Sequence, residues 1–419
     1  MANNTVPFVA LQHRDFRLLW LGQLISQAGS MMQVVAINWH ISVLTNYNPL
    51  ALGLVGLSRV APIIFFSLVG GAVADARDRR RVMLITQSAM AIFAASLGLL
   101  TDRGLQSVWP IYLLNALAAS ASAFDSPARQ ALIPSLVPRE HLANALSLNS
   151  IMFDVATIVG PLIAGILIGV QGVAIVYWIN AWSFLTVIGA LLIMRPANQE
   201  IKRTASLGSV KEGLRFVFRQ PIVRSTMLLD FFATFFSSAN QLLPIFAAQI
   251  LQVGALGYGL LTAAAAIGSL IAGSAMGFIT RIRNPGAVIL WSVAIYGVAT
   301  LLFGISRSFV ISLLMLAATG ASDTVSMILR QTIRQVVTPD ELRGRMTSVN
   351  MIFFMGGPQL GELEAGVVVA LFGASLSVIT GGLGCLIAVA LTAWKAPTLR
   401  KFDEDDLKQA NIALVVAGK

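Results

Sequence analysis

Gly70-Gly71-Ala72-Val73-Ala74-Asp75-Ala76-Arg77-Asp78-Arg79-Arg80-Arg81 is a knot of charge set between two long apolar runs. The small residues at Gly70, Gly71, Ala72 and Ala74 let one membrane helix end in tight contact with a neighbour, after which Asp75 and the arginines must lie in water or among headgroups. The stretch reads as a cytoplasmic hairpin. Composition agrees: of 419 residues, 56% are hydrophobic and 11% charged, where soluble domains carry roughly 25% charged residues. A hydrocarbon core of about 30 Å is crossed by about 20 helical residues, so the length accommodates a dozen spans with short loops.

Working outward, apolar runs occupy about 16–44, 50–74, 82–100, 108–124, 145–170 and 173–194, and then about 223–251, 258–279, 287–305, 309–327, 347–372 and 376–394. The polar, proline-broken segment from Asp125 to His141 is predicted to be a long cytoplasmic loop, and span seven a continuous helix. Between the two sets lies one composition break, rich in Lys202, Arg203, Lys211, Arg215 and Arg219. The organisation is therefore a six-helix half over 1–196, a cytoplasmic linker over 197–220 whose part from Ser209 to Phe218 has amphipathic spacing, a second half over 221–396, and a cytoplasmic tail over 397–419. The first apolar run is too long for a signal-peptide core and reads as a retained span.

The net charge of +10 is topological and does not point to nucleic acid. With the termini and the loops after even-numbered spans placed in the cytoplasm, 26 of the 29 Lys and Arg fall there, leaving Arg59, Arg103 and Arg307. The positive-inside rule then puts both termini inside. A single cysteine, Cys385, excludes an internal disulfide, and three histidines with no metal-ligand spacing argue against a metal site or cofactor.

An internal repeat supports the two halves. Residues 125–165 align without gaps 201 residues later, with Arg129-Gln130 on Arg330-Gln331, Glu140 on Glu341, Asn149 on Asn350, Gly160 on Gly361 and Gly165 on Gly366. The repeat keeps the direction of the chain, so its axis runs along the membrane normal. Asp75 meets Gly277, and the charged hairpin is degraded in the second half.

The spacing of Gly71, Asp75 and Arg79-Arg80-Arg81 resembles the signature between spans two and three of major facilitator superfamily transporters, departing from it at Ala76 and Asp78. The stretch Gly357-Pro358-Gln359-Leu360-Gly361-Glu362-Leu363-Glu364-Ala365-Gly366, with Phe124 to Gln130, is similar to the enterobactin-exporter group in the drug:proton antiporter branch. The arginine usual within span four of that branch is absent, with Asn115 and small residues there. The resemblance implies an all-α membrane fold of twelve helices in two pseudo-symmetric halves. It further implies a monomeric inner-membrane carrier working by alternating access, exporting a siderophore or amphipathic drug-like compound in exchange for protons. An importer or uniporter of the same fold is the alternative; a membrane enzyme lacks a nucleophile–base set, and a sensor lacks an output domain.

Intramembrane charge is costly and marks function or a partner. Asp125, Arg129, Asp323 and Arg330 recur in both halves and read as loop braces. Asp154, Glu362 and Glu364 align with Met355, Pro161 and Ile163, so they are not duplicated architecture; together with Asp230 and Arg59 they are the candidates for proton or substrate. Glu362 and Glu364, about 200° apart on a helix, cannot share one face. Gln23, Gln27, Asn38 and His40 in span one, with Asn240 and Gln241 in span seven, are candidate cavity-lining residues. Gly160, Pro161, Gly165, Gly357, Pro358 and Gly361 suit bending and close packing. Gly71, Asp75, Arg79, Arg80 and Arg81 form the expected gate loop. Asp75→Asn is expected to impair turnover more than substrate binding; equal loss of both in paired binding and transport assays would count against the gate role.

Overall fold

The computed structural model describes residues 8–195, 214–237, 240–279, 282–403 and 405–406. Twelve helices of sixteen residues or more occur among them: α1 Arg14–Leu44, α2 Pro49–Ala76, α3 Arg79–Asp102, α4 Trp109–Leu132, α5 Leu142–Gln171, α6 Ala174–Ile193, α7 Pro221–Phe236, α8 Gly254–Phe278, α9 Pro285–Ile305, α10 Phe309–Val337, α11 Asp340–Phe372 and α12 Ala374–Lys395. Helices are imposed by the solvent: lipid offers a peptide group no hydrogen-bond partner, so each segment satisfies its own. Eight of the twelve are apolar and long enough to cross a bilayer on composition alone. The remaining four are α1, α4, α7 and α11, and these carry most of the amide and carboxylate side chains singled out above.

Two compact units are present, one of residues 1–204 with 253–263 and one of 205–252 with 264–419. Each has the same helix pairing. In the first unit α1 packs on α5 and α6, α3 on α4 and α6, and α2 on α4; in the second α7 packs on α11 and α12, and α9 on α10 and α12, while Ser269 of α8 donates to the Gly320 carbonyl of α10. The repeat extends to the backbone: Gly172 after α5 and Gly373 after α11, 201 positions apart, both have φ of 86°, a region that glycine enters without steric cost.

Small residues set the closest approaches. A Cβ on Gly160 would lie 2.6 Å from Met31 Cβ and 2.9 Å from the Ala28 carbonyl, so α5 touches α1 backbone to backbone. The pair Gly357 and Gly361 does the same for α11 on Thr234 and Phe235 of α7, and Gly165 meets Ala255 and Gly259. Pro161 and Pro358 lie inside α5 and α11 without ending them.

Two expectations are corrected. The segment from Asp125 to Gln130 is helical, not a loop, because α4 continues to Leu132. Pro127 removes the donor for the Ala123 carbonyl, and Gly70 of α2 packs against that carbonyl with no room for a side chain. The loop is therefore confined to about 133–141, and Asp125, Arg129, Asp323 and Arg330 brace helices, not loops. Span seven is not continuous either: α7 stops at Phe236, and after the undescribed pair 238–239 the chain runs through a 3-10 turn over Asn240–Leu242 to a π turn over Phe246–Ile250. Pro244 lacks the N–H that would bond back to residue 240, and π turns commonly mark such breaks. Of the linker, residues 214–219 are helical, and the rest of 197–213 lies outside the described residues, as does most of the tail.

Gly160→Val, which inserts an isopropyl group into the α1–α5 contact, is expected to destabilise by about 1–3 kcal/mol. A lowered melting temperature of the detergent-solubilised protein would show it; an unchanged one would mean that the helices separate freely.

Candidate functional site

The charges of the opening stretch act as helix caps. Asp78 is the N-cap of α3, its carboxylate accepting from the Arg80 and Arg81 backbone N–H groups at 2.9 and 3.4 Å. Its side chain also lies 3.7 Å from Arg81 Nε in an exposed pair. Arg79 donates to the Ala131 carbonyl at the end of α4, at 2.8 Å, and Arg80 to the Leu192 carbonyl at the end of α6, at 3.2 Å. Cations there meet the negative ends of two helix dipoles. The tight glycine is Gly70; a Cβ on Gly71 would touch nothing within 4 Å. The side chain of Asp75 lies outside the described residues.

In the first unit the buried Asp125 accepts from Thr86 Oγ1 and Gln87 Nε2, both at 2.9 Å. Arg129 Nε lies 3.9 Å from its other oxygen, and Arg129 Nη1 donates to Gln23 of α1 at 3.2 Å. The network ties α1, α3 and α4. In the second unit Arg330, 1% exposed, reaches Asp230 Oδ1 of α7 at 2.9 Å and Asp323 Oδ1 at 3.4 Å. Arg334, also buried, donates to the Arg330 carbonyl and to Asn350 of α11. Repeat-related arginines thus meet an amide on the first helix of one half and a carboxylate on that of the other. Asp230 is engaged here, and Arg334, Thr86 and Gln87 are members that the sequence did not single out; the spacing of Arg330 and Arg334, one helical turn apart in an apolar run, was the available signal for the first.

The remaining candidates separate by burial. Glu362 is buried and accepts from Gln241 Nε2 at 3.2 Å, while Glu364 on the opposite face is half-buried. His40 is buried with Nδ1 3.2 Å from the Tyr177 hydroxyl, an interface contact between α1 and α6. Asn38 is buried and Gln27 half-buried, and the side chain of Asn240 lies outside the described residues. Gln33, unremarked in the sequence, accepts from Asn180 at 2.7 Å. Arg59 is exposed on α2, and its neighbour Ser58 accepts from the Asn115 amide at 2.9 Å.

Asp154 differs from all of these. It is the thirteenth of thirty residues in α5, roughly 18 Å from the start at 1.5 Å per residue. It is exposed, and makes no hydrogen bond or ion pair with a described residue. Ser147, Ser150 and Thr157 share its helix face, and their hydroxyls turn back to the carbonyls of Ala143, Leu146 and Phe153. The carboxylate is what that stripe leaves unsatisfied.

A family model described as transmembrane secretion effector matches residues 5–415. The chain is 28% identical over 394 residues to the enterobactin exporter EntS of Shigella boydii serotype 4 (strain Sb227), covering 93% of this chain and 94% of that one. It is 28% identical over 392 residues to the exporter of the same name from Escherichia coli O81 (strain ED1a), with the same coverage. Among solved structures it resembles a bacterial homolog of the human lysosomal transporter Spinster, inward-facing and unoccupied, with a TM-score of 0.74 at 17% identity over 92% of this chain and 98% of that one. A bacterial homologue of the iron transporter ferroportin, inward-facing, matches with a TM-score of 0.71 at 17% identity over 93% and 99%. These likenesses establish the fold.

Removing Arg330 strands Asp230 in an apolar bundle. Arg330→Ala is expected to destabilise by about 3–5 kcal/mol; Arg129→Ala, facing the neutral Gln23 at a more open site, is expected to cost about 1–3 kcal/mol. Unfolding midpoints in the reverse order would refute the assignment of the second-unit pair as the stronger brace.

Proposed function

The chain belongs to the transmembrane secretion effector family of major facilitator transporters, and from that membership we propose that it exports a siderophore-like or amphipathic small molecule in exchange for protons. It is a multi-pass membrane transporter and not an enzyme. The relatives named as enterobactin exporters support the direction and the substrate class. In this reading the protein works as a monomer in the inner membrane of a bacterium, termini in the cytoplasm, its two halves 1–196 and 221–396 alternating access, with the loop of Gly71, Asp75 and Arg79 to Arg81 as cytoplasmic gate.

The observation that carries the coupling is the carboxylate of Asp154, exposed and without a partner among the described residues. An ionised group at that depth is too costly to face lipid, so it borders water and is free to take a proton or a cationic part of the substrate. The buried acids, by contrast, have partners: Asp125 holds Thr86 and Gln87, Asp230 holds Arg330, and Glu362 holds Gln241. Glu364 is the second candidate for the same exchange, being half-buried and unduplicated in the repeat.

Inverted membrane vesicles containing the protein are expected to take up a catecholate siderophore, a hydroxamate siderophore or a cationic dye when a proton gradient is imposed, and not after an uncoupler. Asp154→Asn is expected to abolish gradient-driven uptake while leaving the melting temperature unchanged. Uptake by Asp154→Asn at the wild-type rate would remove Asp154 from the mechanism, and no uptake of any compound by folded wild-type protein would favour import.

A further inference from the structure

Arg307 stands apart from the other basic residues, 26 of which lie in the termini and even-numbered loops. It is exposed in the short connection from α9 to α10, and its Nη1 donates to Ser375 Oγ at the start of α12, at 3.0 Å. No Asp or Glu occurs in residues 285–322 or 365–394, so the helices that meet at this end bring it no carboxylate. Asp323, the first acid along α10, is sixteen residues away, roughly 24 Å along the helix, and is held by Arg330. The guanidinium keeps its charge at any working pH and has N–H groups to spare beyond the one given to Ser375.

Beside Arg307 opens a cavity of about 560 Å³. Its wall is Leu302, Ile305, Ile311 and Met315, of which the first three are 44 to 54% exposed. Its rim is Arg307 and Ser308, with Ser306 behind them. Ser306 is committed internally, accepting from Ser312 and donating to the Ser308 carbonyl, whereas Ser308 makes no capping bond with its hydroxyl. The cavity therefore joins an apolar trough to a cation and an open hydroxyl where a span ends, the depth at which acyl chains give way to headgroups.

We propose that this groove is a specific site for a membrane phospholipid. The phosphodiester accepts from Arg307 and Ser308, and one acyl chain runs along Leu302, Ile305, Ile311 and Met315. Phosphate is the one charged group common to the bilayer that supplies what α9, α10 and α12 lack, and the trough accounts for why the ligand is a lipid and not a free anion. By the proposed topology the lipid belongs to the leaflet away from the termini, so its binding is independent of the transport reading.

The test is native mass spectrometry on the full-length, delipidated protein, titrated separately with phosphatidylglycerol, with diacylglycerol of the same chains, and with inorganic phosphate. Phosphatidylglycerol is expected to be retained. Arg307→Gln is expected to weaken it about fivefold, Arg307→Lys to keep most of it, and Ile311→Trp, which fills the trough, to weaken it at an unchanged melting temperature. Diacylglycerol and inorganic phosphate are each expected to bind far less. Equal retention of phosphatidylglycerol by wild type and Arg307→Gln, or of diacylglycerol and phosphatidylglycerol by wild type, would overturn the headgroup contact. Phosphate binding as tight as that of the lipid would overturn the trough.

Discussion

Hydrocarbon supplies no hydrogen bonds, and every feature of this protein answers to that. The backbone closes on itself as helices, and each polar side chain within them must find a partner or reach water. At the irregular point in α4, where Pro127 removes the donor for the Ala123 carbonyl, Gly70 of α2 packs directly against that carbonyl. The arginines that follow Gly70 cover the carbonyl ends of α4 and α6. The charged hairpin is thus a structural clasp for the first unit before it is anything else, and Asp78, which departs from the usual family spacing, starts α3.

Duplication left two halves with one helix pairing and different electrostatics. Arg129 and Arg330 occupy the same place in the repeat, yet one faces Gln23 and the other Asp230. A neutral partner leaves Arg129 dependent on Asp125, one turn away on its own helix. The second half instead stitches α7 to α10 with an ion pair and α10 to α11 through Arg334 and Asn350. Charge of this kind is scaffold, since it is consumed by its neighbours, and it separates the braces from residues with capacity to spare. On that criterion Asp154 stands out, its stripe of hydroxyls being satisfied by the helix backbone while its own oxygens have no partner among the described residues.

Much of the fold was legible in the sequence. The bilayer reads local composition, so runs of apolar residues mark spans wherever they occur, and the 201-residue repeat announces the two halves. The errors fell where local composition misleads. Asp125, Ser126, Pro127 and Arg129 look like a loop because they are polar and contain proline, but α3 supplies partners for Asp125 and α1 one for Arg129, and the helix continues. Span seven looks continuous because Leu242 to Ile250 is largely apolar, but α7 ends at Phe236 and Pro244 lacks the N–H a continuous ladder would need.

By itself the sequence determined that the chain crosses a membrane many times, where its helices lie, that its halves are repeats, and which few charges are embedded in them. Asp154, Asp230 and Glu362 were all candidates for proton or substrate at that level, each an acid in an apolar stretch. Only the tertiary structure decided that Arg330 takes Asp230, that Gln241 takes Glu362, and that Asp154 is exposed with no partner among the described residues. The reason is physical: insertion is set by the residues within one span, whereas pairing depends on the depth and rotation of helices a hundred residues apart, which packing of their glycines and bulky neighbours fixes and no local pattern records.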